Sequence, residues 1–139
     1  MESLKVKDYM TLQAVTFTPD MSLSAALQKV LNSRYLGGPV INDKKEVIGF
    51  LSGQDLLEKL IKVSYYCQDT HIVKDCMHPD VLSVTPDTSI IALAEMMTKD
   101  KPKVYPVVDA NNKLLGIITR QNVLLAIAKN IDECFKHPV

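Results

Sequence analysis

The sequence predicts an α+β fold built from two α/β-type units, each ordered β-α-β-β-α and related to the other by a pseudo-twofold axis. Three observations carry this expectation. Residues 6–60 align with residues 73–127 at a constant offset of 67, without a gap and with fourteen identities in fifty-five positions. Within each copy, short runs of alternating or continuous apolar residues are interleaved with apolar residues at helical spacing. A unit of about 55 residues buries little core alone, so two of them are expected to share one interior. This reading divides the chain into a first repeat over residues 1–62, a connector over 63–72 and a second repeat over 73–139, folded together as one module.

The elements follow in order. Val6-Lys7-Asp8-x-Met10 recurs as Val73-Lys74-Asp75-x-Met77 ahead of the first strand. Val15 to Thr18 and Leu82 to Thr85 alternate apolar with polar side chains, and a Pro-Asp pair then stops each strand. In the helix that follows, Leu23, Ala26, Leu27, Val30 and Leu31 make one apolar face, as do Ile90, Leu93, Ala94 and Met97, with Ser22 and Ser89 as N-caps. Pro39-Val40-Ile41 and Val47 to Leu51 flank the polar stretch Asn42 to Glu46, which reads as a hairpin. The second copy repeats it around Asp109 to Lys113. Asp55 or Asn122 then opens an amphipathic helix, carrying Leu56, Leu57, Leu60 and Ile61 in one copy and Val123, Leu124, Ile127 and Ile131 in the other.

Composition narrows the function. Apolar residues make up 47% of the chain and aromatics only 6%, so the core is expected to be aliphatic. Sixteen basic and sixteen acidic residues cancel with no basic run, which argues against nucleic acid as a partner. Charges interrupt every apolar stretch, and the start lacks a secretory pattern; a cytoplasmic protein without a membrane partner is expected. Cys67, Cys76 and Cys134 are odd in number and widely spaced, as free thiols in a reducing compartment would be. Cys76-Met77-His78 offers two donors without a second cluster, so no metal is expected. Gly49-Phe50-Leu51-Ser52-Gly53 places its serine fourth, not third as a hydrolase elbow requires, and no phosphate-cradling glycine motif occurs. His71, His78 and His137 fall outside the aligned motif cores, leaving no nucleophile–base pair and no enzyme activity to expect.

Pro-Val at each hairpin, and Gly followed by two apolar residues, Ser52 or Thr119, and Asp55 or Asn122, recur in two complete copies. This pattern resembles the cystathionine-β-synthase (CBS) domain in tandem, the arrangement called a Bateman module, over nearly the whole chain. The resemblance implies a non-catalytic disc with two clefts for adenosine nucleotides or related adenosyl ligands, and pairing of modules into homodimers. The expected function is therefore a regulatory module that binds AMP, ADP or ATP, uses no catalytic cofactor and acts in trans on an unidentified protein. The alternative is a structural or protein-interaction module whose degenerate clefts bind nothing.

The same resemblance supplies candidate binding residues. Ser52-Gly53-Gln54-Asp55 and Thr119-Arg120-Gln121-Asn122 stand at strand-to-helix junctions, where free backbone N–H groups and the helix dipole favour an anion. The hydroxyls of Ser52 and Thr119 would face phosphate, and Asp55 and Asn122 would accept from a ribose diol. Asp and Asn are equally good N-caps, worth about 1 kcal/mol, so capping is the competing reading. Asn122 lacks the charge and second acceptor of an aspartate, and Arg120 either binds phosphate or is an exposed turn residue. Leu36, Gly37, Gly38 and Pro39 in one copy, and Lys103, Val104, Tyr105 and Pro106 in the other, match the family's purine site. There the two glycines would admit a flat ring, Tyr105 an aromatic face and Lys103 a charge. A half-buried strand edge and a solvated turn are the plain readings for Tyr105 and Lys103. Thr16, Phe17, Ser83 and Val84 would complete the walls, with ordinary core packing as the competing reading. An apolar face left on each last helix predicts a homodimer.

Overall fold

A computed structural model describes residues 4–69, 71–99 and 102–136. A 3-10 turn (Val6–Asp8) leads into α1 (Leu23–Leu31), β1 (Gly38–Ile41), β2 (Val47–Leu51) and α2 (Gly53–Tyr66). A second 3-10 turn (Val73–Asp75) precedes α3 (Ile90–Lys99), β3 (Val104–Val108), β4 (Leu114–Thr119) and α4 (Arg120–Lys136). Ser22 and Ser89 cap their helices, accepting from the amides of Ala25 at 3.1 Å and Ala92 at 3.3 Å. Each repeat is an antiparallel hairpin with its own pair of packed helices, α1 on α2 and α3 on α4. The hairpin registers match under the offset, Pro39 opposite Phe50 and Pro106 opposite Ile117, and both irregularities fall at the same place, after Val40 and after Val107.

The first strand of each repeat is a single rung. Phe17 pairs with Val40, and Val84 with Val107, in parallel. In the first repeat Phe17 N donates to Pro39 O and Ile41 N to Phe17 O, and in the second Val84 N donates to Pro106 O and Val108 N to Val84 O. The next rung on one side would need an N–H from residue 39 or 106, and on the other side from residue 19 or 86. All four are prolines, which have none to give, so the ladder stops after one residue. The sequence pattern of alternation is real, but its hydrogen bonds are limited to the rung that the prolines leave.

The repeats exchange their leading segments. Val6 N donates to Thr88 O and Lys7 N to Pro86 O, while Val73 N donates to Met21 O and Lys74 N to Pro19 O. Val6 is fully buried among Ile90, Leu93, Tyr105 and Ile118 of the second repeat. Val73 is fully buried among Phe17, Leu23, Val40 and Leu51 of the first. Each of the two cores therefore borrows a valine from the other copy. The hairpin turns also interlock: Lys45 and Asn112 adopt left-handed φ values of 65° and 63°, Val47 N donates to Asn112 O, and Leu114 N donates to Lys45 O. The Asn112 side-chain amide adds a bond to Val47 O at 2.8 Å. Helix α2 runs through residues 63–66, which the sequence reading assigns to the connector, and ends at Cys67 in a left-handed cap.

Candidate ligand-binding cavity

Both strand-to-helix junctions begin their helix one position after the hydroxyl residue, so Ser52 and Thr119 are the N-caps and Asp55 and Asn122 occupy the third helical position. This corrects the expectation that Asp55 or Asn122 starts the helix. Ser52 Oγ accepts from Asp55 N at 3.1 Å and donates to Asp55 Oδ2 at 2.6 Å. Thr119 Oγ1 accepts from Asn122 N at 3.1 Å, and Asn122 Oδ1 accepts from Thr119 N at 2.9 Å, which is a complete capping box. The three-residue spacing thus closes the helix end on itself. Ser52, Thr119 and Asn122 also line a cavity, with Asp55 outside its lining.

That cavity has a volume of about 1710 Å³, larger than the roughly 300–1,000 Å³ of one small-molecule pocket. Ser52, Gly53 and Gln54 line it from α2, and Thr119, Arg120, Gln121 and Asn122 from α4, so the two junctions share one continuous space instead of two separate grooves. The pseudo-twofold axis brings both helix N-termini to the same side of the module. Leu36, Gly37, Lys103, Val104 and Pro106 add to the wall from the segments that precede or form β1 and β3. Arg34 and Arg120, the two arginines of the chain, both face this space. With Lys103 they set three cations around two helix N-termini, which favours an anionic occupant. Phe50, Val81 and Leu82 supply apolar surface for a ring.

Several expected wall residues point elsewhere. Tyr105 is fully buried with Ile90, Leu93 and Ile118, so its ring has no face on the cavity. Phe17 and Val84 are core residues, held inward by the one-rung bridges, and Gly38 and Pro39 are buried beneath the wall. Thr16 and Ser83 are half-buried and lie outside the cavity lining. The two glycines admit backbone where a flat ring was expected: a Cβ on Gly37 would meet the Leu51 carbonyl oxygen, and one on Gly38 the Val15 carbonyl oxygen. Asp55 is half-buried behind Ser52 and presents its Oδ2 to His78 Nε2 at 2.7 Å.

His78, Arg34, Asp80 and Phe50 are cavity residues that the sequence reading did not select. Arg34 lies ahead of the Leu36 to Pro39 segment matched to the family's purine site, and only the fold brings it to the same space as Arg120. His78 carried none, because it arrives through the exchange of leading segments: His78 N and O pair with Phe50 O and N, both at 2.9 Å. Cys76, in the same segment, has its thiol pKa raised by burial and then by the Asp55 carboxylate, with Lys59 opposing and Asp75 adding to the rise. Cys67 and Cys134 are exposed free thiols. His137 lies outside the described residues. Among the described residues no helix is long and apolar enough to cross a membrane, and no three His, Cys, Asp or Glu side chains converge as metal ligands.

Comparison with known proteins gives this geometry a family. An uncharacterised protein of Methanocaldococcus jannaschii is 28% identical over 133 residues, covering 96% of this chain and 43% of its own length. The chloroplastic CBS domain-containing protein CBSX2 of Arabidopsis thaliana is 30% identical, with 78% of this chain and 56% of its own length covered. This chain thus spans about half the length of the curated relatives it matches. The crystal structure of CBSX2 in complex with AMP has a TM-score of 0.79 at 32% identity, covering 91% of this chain and 98% of that one. A second CBSX2 structure gives 0.80, with 93% and 97% covered. The CBS domain model matches twice, over residues 6–62 and 73–129, and the chain belongs to the CBS domain family as a tandem pair.

Proposed function

We propose that the chain is a regulatory module that binds an adenosine nucleotide, AMP, ADP, ATP or a related adenosyl ligand, in the shared cavity. The observation that carries this reading is the meeting of both helix N-termini and both arginines in one space. An anionic phosphate would lie against Arg34, Lys103 and Arg120 and the free N–H groups of α2 or α4. The adenine would rest on Leu36, Phe50, Leu82 and Val104, and the ribose diol would be held by Asn122 on the lining or by Asp55, which is bonded to the lining residue Ser52. CBSX2 supports the reading as a relative that takes AMP on the same fold. The repeats are one folding unit, each completed by the other's leading segment, so a ligand between them acts on the arrangement of the whole module and on any partner bound to it in trans.

The test is a thermal-shift series with AMP, ADP, ATP, NAD and S-adenosylmethionine. A ligand at 100 times its dissociation constant adds about 2.7 kcal/mol to stability, enough to raise Tm by several degrees. A flat response to all five overturns the reading. One observation favours the alternative, an interaction module without ligand: the hydroxyls of Ser52 and Thr119 and the Asn122 side-chain oxygen are already engaged within their own helix ends. On that alternative, every ligand in the series leaves Tm unchanged.

A further inference from the structure

The first junction is closed by a residue of the second repeat. His78 Nε2 lies 2.7 Å from Asp55 Oδ2, the oxygen that also receives the Ser52 hydroxyl at 2.6 Å. The His78 main chain is fixed by its paired bonds to Phe50, whereas its side chain is 65% exposed; the Asp55 side chain is only 21% exposed. At the second junction the equivalent backbone pair joins Thr11 to Ile117, also at 2.9 Å in both directions, so a threonine stands where the imidazole would be. Asn122 Oδ1 is engaged there by Thr119 N. The acceptor of the first junction thus carries an imidazole that the acceptor of the second lacks.

We propose that His78 is a specificity-determining residue of the first junction, a latch that a ligand hydroxyl must displace from Asp55. This rests on the adenosine reading of the cavity. Asp55, Lys59 and Asp75 act electrostatically on Cys76, two residues before His78, and Arg34 and Asp80 line the same cavity as His78. A diol can take Asp55 Oδ2 only after the His78 ring turns away, so the contact between them weakens ligand binding at the first junction. The second junction, with Thr11 and Asn122, has no such latch.

The experiment is calorimetric titration of AMP into the wild-type chain and His78→Ala. His78→Ala is expected to bind AMP several-fold more tightly, because Asp55 is then open to the diol. A separate measurement needs no ligand: the imidazole nitrogen signals of His78 should move on Asp55→Asn, because that substitution removes the charge it faces. Equal AMP affinity in wild type and His78→Ala, weaker binding by His78→Ala, or His78 signals indifferent to Asp55→Asn would each overturn the latch while leaving the nucleotide reading in place. No AMP binding by either protein would remove AMP as the ligand of the first junction and the latch with it, whereas the nucleotide reading falls only if ADP, ATP, NAD and S-adenosylmethionine also leave both proteins unchanged.

Discussion

Ser52 uses one hydroxyl twice, accepting from the Asp55 amide and donating to the Asp55 carboxylate, and the pair closes the start of α2 without outside help. Ser52→Ala removes both bonds at once. It is expected to lower unfolding free energy by about 1 kcal/mol in a urea titration, with Ser52→Thr restoring most of the loss. A change below a few tenths of a kcal/mol would mean that the hydroxyl has no part in holding the helix end. The motif was legible from the sequence, but its purpose was not, since a capping box and a grip on a sugar both require a hydroxyl three residues before an acceptor. Distances separate the two: the bonds within the box are made, while Asp55 also reaches a histidine that no sequence spacing would suggest.

At the scale of elements, proline and glycine decide what the alternation of apolar residues does not. Pro19, Pro39, Pro86 and Pro106 reduce two expected strands to one rung each. Gly38 lets the main chain of Val15 lie directly on β1, where Val15 is buried at 8% exposure. In the second repeat the equivalent position is Tyr105, itself buried, and the residue equivalent to Val15 is Leu82, 45% exposed and on the cavity wall. The copies therefore pack the same place in two ways, one with backbone and the other with an aromatic ring. Gly38→Ala places a methyl group against the Val15 carbonyl, which the Phe17 rung holds in position. It is expected to cost about 1–3 kcal/mol by overpacking, read as a lower urea midpoint at unchanged slope. An unchanged midpoint would show that the Val15 segment moves aside freely.

Over the whole molecule, the last helix of each repeat leaves apolar side chains exposed. Leu57, Ile61 and Tyr65 form an exposed row at four-residue spacing on α2, and Leu124, Ile131 and Phe135 are exposed on α4. Rows of this kind on a folded domain mark an interface, and a second copy of the chain supplies matching rows. A homodimer is therefore expected by light scattering, with Leu57→Glu and Ile61→Glu together giving a monomer of unchanged helical content; a monomeric wild type would remove the expectation. The duplication, the order of helices and hairpins and the residues of both junctions are local or periodic properties, and a single chain displays them because side-chain spacing maps directly onto a helix face or a strand. Tertiary structure alone decided that each leading segment packs on the opposite repeat, that Val6 and Val73 complete the other copy's core, and that His78 thereby meets Asp55. Two similar copies offer either leading segment nearly the same groove, so sequence spacing is neutral between packing at home and packing across. The choice lies in burial and backbone pairing between residues about 70 positions apart, which no local pattern records.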